Sequence, residues 1–161
     1  MELVAYFLGP DNTKKVRVIG LAENLCFPHG YFDGEAANSM GGFCFTLYLN
    51  RDYFFCKLGC GPSTNMRAKL LALWALLHTA ASMHIPKLHV RGDSVVNINW
   101  MNSKFSLTAL NLEHWCNRIY DIRQAFLSLD IKHIYREYNK SAGGCLSKEA
   151  LKMMAGHLHF S

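Results

Sequence analysis

Tyr31-Phe32-Asp33-Gly34, which follows Leu25-Cys26-Phe27, and Leu88-His89-Val90-Arg91-Gly92-Asp93-Ser94 are the two stretches whose reading decides the fold. Each is a short apolar run that ends on or near an aspartate. Runs of this length, bounded by Gly and Pro, predict buried strands. Between them a helical pattern runs from Asn65 to Met83. Strand, long crossover and strand imply two neighbouring parallel strands. Ligands of such sheets bind beyond the carboxyl ends of the strands. Asp33 and Asp93 therefore meet where ligands bind, and two carboxylates that meet repel each other unless a cation neutralises them.

Working outward, Val4-Ala5-Tyr6-Phe7-Leu8 and Val16-Arg17-Val18-Ile19, separated by Gly9-Pro10-Asp11-Asn12, predict a hairpin or leader over residues 1–24. Pro28-His29-Gly30 is expected to break the chain just before the Asp33 strand. Asn38 to Gly42 reads as a turn. Phe43 to Leu49 and Tyr53 to Leu58 are rich in aromatic and β-forming residues, and Asn50-Arg51-Asp52 turns the chain between them. Short connections make the first three strands an antiparallel meander, which Gly59 to Pro62 is expected to end. Ser63 or Thr64 can cap the long helix. Its buried stripe is Met66, Leu70, Leu73, Leu77 and Ala80. Lys69 falls on or beside that stripe. It either snorkels to water or takes a partner, because an unpaired buried ammonium is costly, and Asp33 and Asp93 are the candidates.

Beyond Pro86 and the second parallel strand, Ser94 to Met101 predicts a short helix and Asn102 to Thr108 a polar connection. Leu112, Trp115, Ile119, Ile122 and Phe126 space out an amphipathic helix. Ile131 to Tyr135 reads as a fifth strand, Asn139 to Gly144 as a loop, and Leu146 to Met154 as a last helix. The fold class is α/β: a five-stranded mixed sheet, three antiparallel strands then two parallel, flanked by helices.

The totals bound the function. A chain of 161 residues, half of them apolar, makes one domain with a real core. A formal charge of +5 and a pI near 8.9 favour a polyanionic partner. The six cysteines are scattered, and Cys56 and Cys60 are not at Cys-x-x-Cys spacing, so free thiols in a reducing compartment are expected. No secretory signal is visible and the most apolar helical window is too short for a bilayer, so the expected location is intracellular, away from membranes.

Four pieces in order resemble the ribonuclease H superfamily, in the form found in plants and retroelements. They are Phe32-Asp33-Gly34, Thr64-Asn65 opening the long helix, Arg91-Gly92-Asp93-Ser94, and His133-Ile134-Tyr135-Arg136-Glu137-Tyr138-Asn139 followed by Ala142 and Leu146-Ser147-Lys148. The resemblance implies a ribonuclease-H-like domain over residues 25–155, with a tail at 156–161. It implies cleavage of the RNA strand of RNA–DNA hybrids. Four carboxylates, in the order Asp, Glu, Asp, Asp, hold two divalent ions that activate water and stabilise the leaving oxygen.

Asp33 and Asp93 match the first and third of these. Lys69 stands where the second is expected and Gly143 where the fourth is, in a loop one residue longer than the pattern. Outside the resemblance, Asp33 could serve a turn and Asp93 a helix cap. His133 matches a histidine that assists water activation or product release, and it could also be an ordinary strand residue. Gly34, Asn65 and Ser94 match positions that approach the substrate backbone. Arg67, Lys69, Arg91 and Lys104 are cations that could line its path. Trp100 and Trp115 read as core.

A lysine among the carboxylates adds charge of the metal's own sign. At about 4 Å and an effective dielectric near 20, a unit pair is worth ~4 kcal/mol before desolvation. Lys69 is therefore expected to bridge Asp33 and Asp93 in place of metal. The domain is expected to bind RNA–DNA hybrid or RNA as an impaired pseudo-nuclease, with no ion bound. The alternatives are a weak ribonuclease H that uses Mg²⁺ or Mn²⁺ and a protein-interaction module on the same scaffold.

Overall fold

The computed structural model describes residues 28–49, 52–93 and 110–134. The expected leader, the helices at 94–101 and 146–154, Ser94, Lys104 and Gly143 lie outside them. The described elements are β1 (His29–Ala37), β2 (Met40–Leu49), β3 (Asp52–Pro62), α1 (Asn65–Ser82), β4 (Lys87–Gly92), α2 (Leu110–Arg123) and β5 (Ser128–His133). The sheet order is β3-β2-β1-β4-β5. β1–β2 and β2–β3 are antiparallel, and β1–β4 and β4–β5 are parallel. This is the mixed sheet expected from the sequence.

Several strand limits differ from the expectation; β5, for one, begins at Ser128 rather than Ile131. His29 and Gly30 belong to β1, and β1 continues past Asp33 to Ala37. The turn shrinks to Asn38 and Ser39, with φ of 52° and 64°. A two-residue hairpin loop needs left-handed backbone at both positions, and Asn tolerates it well. β2 therefore resumes at Met40, paired with Ala37. β3 runs on through Gly59 to Pro62, because it is the edge strand, where glycines and a terminal Pro break no second ladder.

Thr64, not Ser63, caps α1: its side chain accepts from the Arg67 N–H at 3.2 Å. At the other end His84 takes a left-handed φ of 59°, and the Ile85 N–H closes on the Ala80 carbonyl at 3.1 Å. α1 is buried well beyond its expected stripe: Ala68, Leu71, Ala72, Ala75 and Leu76 are covered as well. It packs on β1 and β2 on one side and on α2 on the other, so little of its circumference meets water. α2 contributes Leu112, Trp115, Cys116 and Ile119 to that core. Tyr31, Cys44 and Ile134 form a separate small cluster with Tyr48. Successive residues of a strand point to opposite faces, which is why Phe32 joins the large core and Tyr31 the small one.

Candidate functional site

The parallel register pairs Phe32 of β1 with Gly92 of β4. The next residue along each chain is an aspartate, so Asp33 and Asp93 arrive side by side. β4 stops at Gly92 while β1 goes on to Ala37. Two glycines make the approach possible. A Cβ on Gly92 would lie 2.5 Å from the Phe32 ring, and one on Gly34 would lie 2.3 Å from the backbone carbonyl carbon of Ala68 and 2.5 Å from the Lys69 nitrogen. The bare Gly34 lets α1 settle onto β1 at the residue that carries the amine.

Lys69 Nζ donates to Asp33 Oδ1 at 2.7 Å and to Asp93 Oδ1 at 2.7 Å. The side chains are 15 % exposed for Lys69, 2 % for Asp33 and 6 % for Asp93, so solvent screens these pairs little. Burial works to lower the Lys69 pKa, but Asp33 and then Asp93 outweigh it and hold the ammonium above the ordinary lysine value. Burial pushes the Asp33 carboxyl up; Lys69 pulls against this, Asp93 adds to it, and the net direction is upward. The cluster is a salt bridge with one amine and two acids. Among the described residues no group of three or more His, Cys, Asp or Glu is arranged to hold a metal ion. The described donors thus do not fit a two-ion centre: an ammonium lies between the two carboxylates that such ions would share.

His133 is the last residue of β5, within the strand expected over Ile131 to Tyr135. It is exposed and stands in register with Gly92, next to the aspartate end of β4. The Ile134 N–H then donates to the Gly92 carbonyl at 2.9 Å, which ties the two strand ends together. Asn65 opens α1 and its Oδ1 accepts from the Ala36 N–H at 2.6 Å, holding the far end of β1 to the helix. Arg67 donates through Nη1 to the Pro62 carbonyl at 3.2 Å. A groove of about 770 Å³ opens here, lined in part by Ser39, Ser63, Thr64, Arg67 and Leu112.

Arg91 does not line a surface path. It is 2 % exposed, and its guanidinium donates to the Asp130 carboxylate and to the Asp130 and Val90 carbonyls. His89 Nδ1 lies 2.7 Å from the same Asp130 carboxylate. The partner comes from β5, far along the chain, and no local spacing announces it. The sequence reading also passed over Trp74 and Arg118. The spacing of Trp115 and Arg118, one helical turn apart, was the available signal. Trp115 is core, as expected at 4 % exposure, but it carries arginines on its ring.

This sheet order, the long crossover helix and paired aspartates at adjacent strand ends define a ribonuclease-H-like domain. A family model described as Reverse transcriptase-like matches residues 32–150, and the chain belongs to that family. Solved structures agree. RNase H1 from the halophilic archaeon Halobacterium salinarum NRC-1 is 25 % identical, with a TM-score of 0.68 over 77 % of this chain and 96 % of that one. The N-terminal RNase H domain of rv2228c from Mycobacterium tuberculosis, 18 % identical, superposes with a TM-score of 0.73 over 77 % and 92 %. LC11-RNase H1, in complex with an RNA/DNA hybrid, is 22 % identical with a TM-score of 0.70 over 77 % and 96 %. The last two speak to the fold alone. No curated protein matches the chain. No helix among the described residues is long and apolar enough to cross a membrane.

Proposed function

We propose that this domain binds RNA–DNA hybrid or RNA without cutting it, because Lys69 occupies electrostatically the place that divalent ions take in the family. The observation that carries the reading is the Lys69 ammonium at 2.7 Å from both Asp33 and Asp93. These contacts are shorter than the ~4 Å at which a unit pair is worth ~4 kcal/mol at an effective dielectric near 20. A divalent ion entering between the two carboxylates would have to displace the amine or bear its repulsion. Mg²⁺ also needs octahedral oxygen ligands, which two carboxylates already engaged cannot supply.

Binding needs donors rather than carboxylates, since much of nucleic-acid affinity comes from phosphate contacts. Ser63, Thr64 and Arg67 line a groove at the start of the helix that carries Lys69, and Asn65 is the first residue of that helix. The net positive charge favours the encounter. LC11-RNase H1 has been seen with an RNA/DNA hybrid, which makes the hybrid the first ligand to try. Gly34 acts in this reading by seating α1, and Asp33 and Asp93 act as anchors for Lys69. His133 borders the site as a further donor to the backbone.

The test is a labelled RNA–DNA hybrid incubated with the protein in Mg²⁺ and, separately, in Mn²⁺, with binding followed in parallel. Retention of hybrid without cleavage is expected. Metal-dependent cutting of the RNA strand by the unmodified chain would replace this reading with that of a weak ribonuclease H.

A further inference from the structure

Among the described residues the sheet has two edges, β3 and β5. An edge strand presents a row of backbone donors and acceptors to any passing chain, and proteins blunt it by shortness or by charged side chains. β5 is blunted both ways: it has six residues and includes Asp130, Lys132 and His133. β3 is blunted in neither way. It runs for 11 residues, and between Asp52 and Pro62 its charged side chain is Lys57 alone, after the aromatic run Tyr53-Phe54-Phe55.

Hydrogen-bonded and non-bonded pairs alternate along an antiparallel ladder. The β2–β3 register closes on Leu49 and Asp52 across two residues, where a hairpin pair is bonded, so Leu47–Phe54 and Phe45–Cys56 are bonded pairs as well. The backbone groups of Tyr53 and Phe55 therefore face away from β2. Topology limits what can lie against them. His29 pairs with Tyr48 and Tyr48 with Tyr53, so β1 and β3 start level with each other and run the same way. Residues 1–27 feed β1 from that end and lie outside the described residues. Val16-Arg17-Val18-Ile19 is their β-branched run nearest β1. A strand there, laid on the far side of β3, would run toward the shared end and so antiparallel to β3. It would sit three strand spacings from β1, about 14 Å, and residues 20–28 can span about 30 Å. The spatial order would be that strand, β3, β2 and β1. Three hairpin-linked strands joined to a fourth by a long connection form a Greek key.

We infer that Val16–Ile19 adds to the outer edge of β3 as an antiparallel strand and closes that edge to a second copy of the chain. The inference stands whatever the Asp33–Lys69–Asp93 cluster binds.

The test is NMR on the full chain, with its oligomeric state followed by light scattering. Backbone contacts between Val16–Ile19 and Tyr53–Lys57, and slow exchange of the Tyr53 and Phe55 amides, are expected in a monomer. Successive amides of a strand point to opposite sides, so one of R17P and V18P removes a donor to β3. That variant is expected to speed exchange of the Phe55 amide by about tenfold or more, while the Phe45 amide, bonded between β2 and β3, stays protected. Circular dichroism matching the parent protein certifies each variant's fold, and the backbone contacts in the parent decide the matter if neither variant passes. Absence of those contacts, or fast exchange of both amides in the parent, would overturn the inference. Protection that both proline variants leave intact in a monomer would put another segment on the edge and overturn it. Protection that vanishes as a dimer dissociates on dilution would put a second copy there, with the same consequence.

Discussion

The Lys69 ammonium leaves the Asp33–Asp93 pair with one net negative charge and both inner oxygens occupied. Replacing it with methionine removes the ammonium that bridges the two buried carboxylates. Loss of one partner from a buried pair costs about 3–5 kcal/mol. Lys69→Met is therefore expected to lose about 3 kcal/mol in urea unfolding at pH 7. Without the amine, burial and mutual repulsion raise the Asp33 pKa further, so the variant's folded state takes up protons that its unfolded state does not. Its deficit should shrink as pH falls from 7 to 5, and an equal deficit at both would contradict the assignment. In the parent protein the shift of Lys69 is upward. Its contribution is complete below the ordinary lysine value, about 10.4, and is lost as pH rises through the higher folded value. Alkaline unfolding should accordingly be steeper in the parent than in Lys69→Met. Lys69→Glu combined with Gly143→Asp tests the converse: Mg²⁺ should raise its melting temperature but leave the parent's unchanged.

Elements hold the cluster through two contacts that leave no room for a side chain. Gly34→Ala would set a Cβ against the α1 backbone at 2.3–2.6 Å, and backbone cannot rotate away. Overpacking of this kind costs about 1–3 kcal/mol, which exceeds the ~0.4–1 kcal/mol that alanine contributes by restricting the unfolded chain. Gly34→Ala should lose stability and loosen Lys69 from Asp33, visible as faster proton exchange of its ammonium by NMR. The β4–β5 pair is held differently. Burial works to raise the Asp130 pKa, but the His89 hydrogen bond and the Arg91 charge outweigh it and hold the carboxyl below its ordinary range. That stability is present above the ordinary carboxylate range and is lost as pH falls through the depressed value. Asp130→Asn should remove this acid-sensitive component and cost about 2–3 kcal/mol at pH 7, less than a fully buried pair because Asp130 is 30 % exposed.

These elements also mark what could be read in advance. The period-two and helical patterns place every described strand and helix, and the position of Lys69 four residues into α1 points it at the aspartates. Strand ends were misread at Gly34, where the glycine carries close packing within β1, and at Gly59 to Pro62, which continue the edge strand. Arg91 was misread because its partner is brought in by β5 pairing. The Arg118–Trp115 contact depends on how α2 seats on α1, which no window of sequence contains.

At the scale of the whole molecule, a basic α/β domain carries a lysine-bridged pair of carboxylates at the ends of two parallel strands. Its thiols are passengers in the core: Cys44, Cys56, Cys60 and Cys116 are buried and form no disulfide among the described residues, and burial pushes the Cys56 thiol up to about 12. The thiolate is the reactive form, so these four should resist alkylation at pH 8 until the protein is unfolded in urea. A thiol count by mass spectrometry before and after unfolding checks this. Nucleic-acid affinity should fall steeply with salt, as counterion release requires. The most direct test of the central claim is titration of the parent protein with Mg²⁺ by calorimetry, with the Lys69 ammonium followed by NMR. The account predicts no binding heat at millimolar Mg²⁺ and an unmoved Lys69 resonance. Saturable Mg²⁺ binding that releases the Lys69 ammonium from Asp33 and Asp93, with the fold intact, would contradict it.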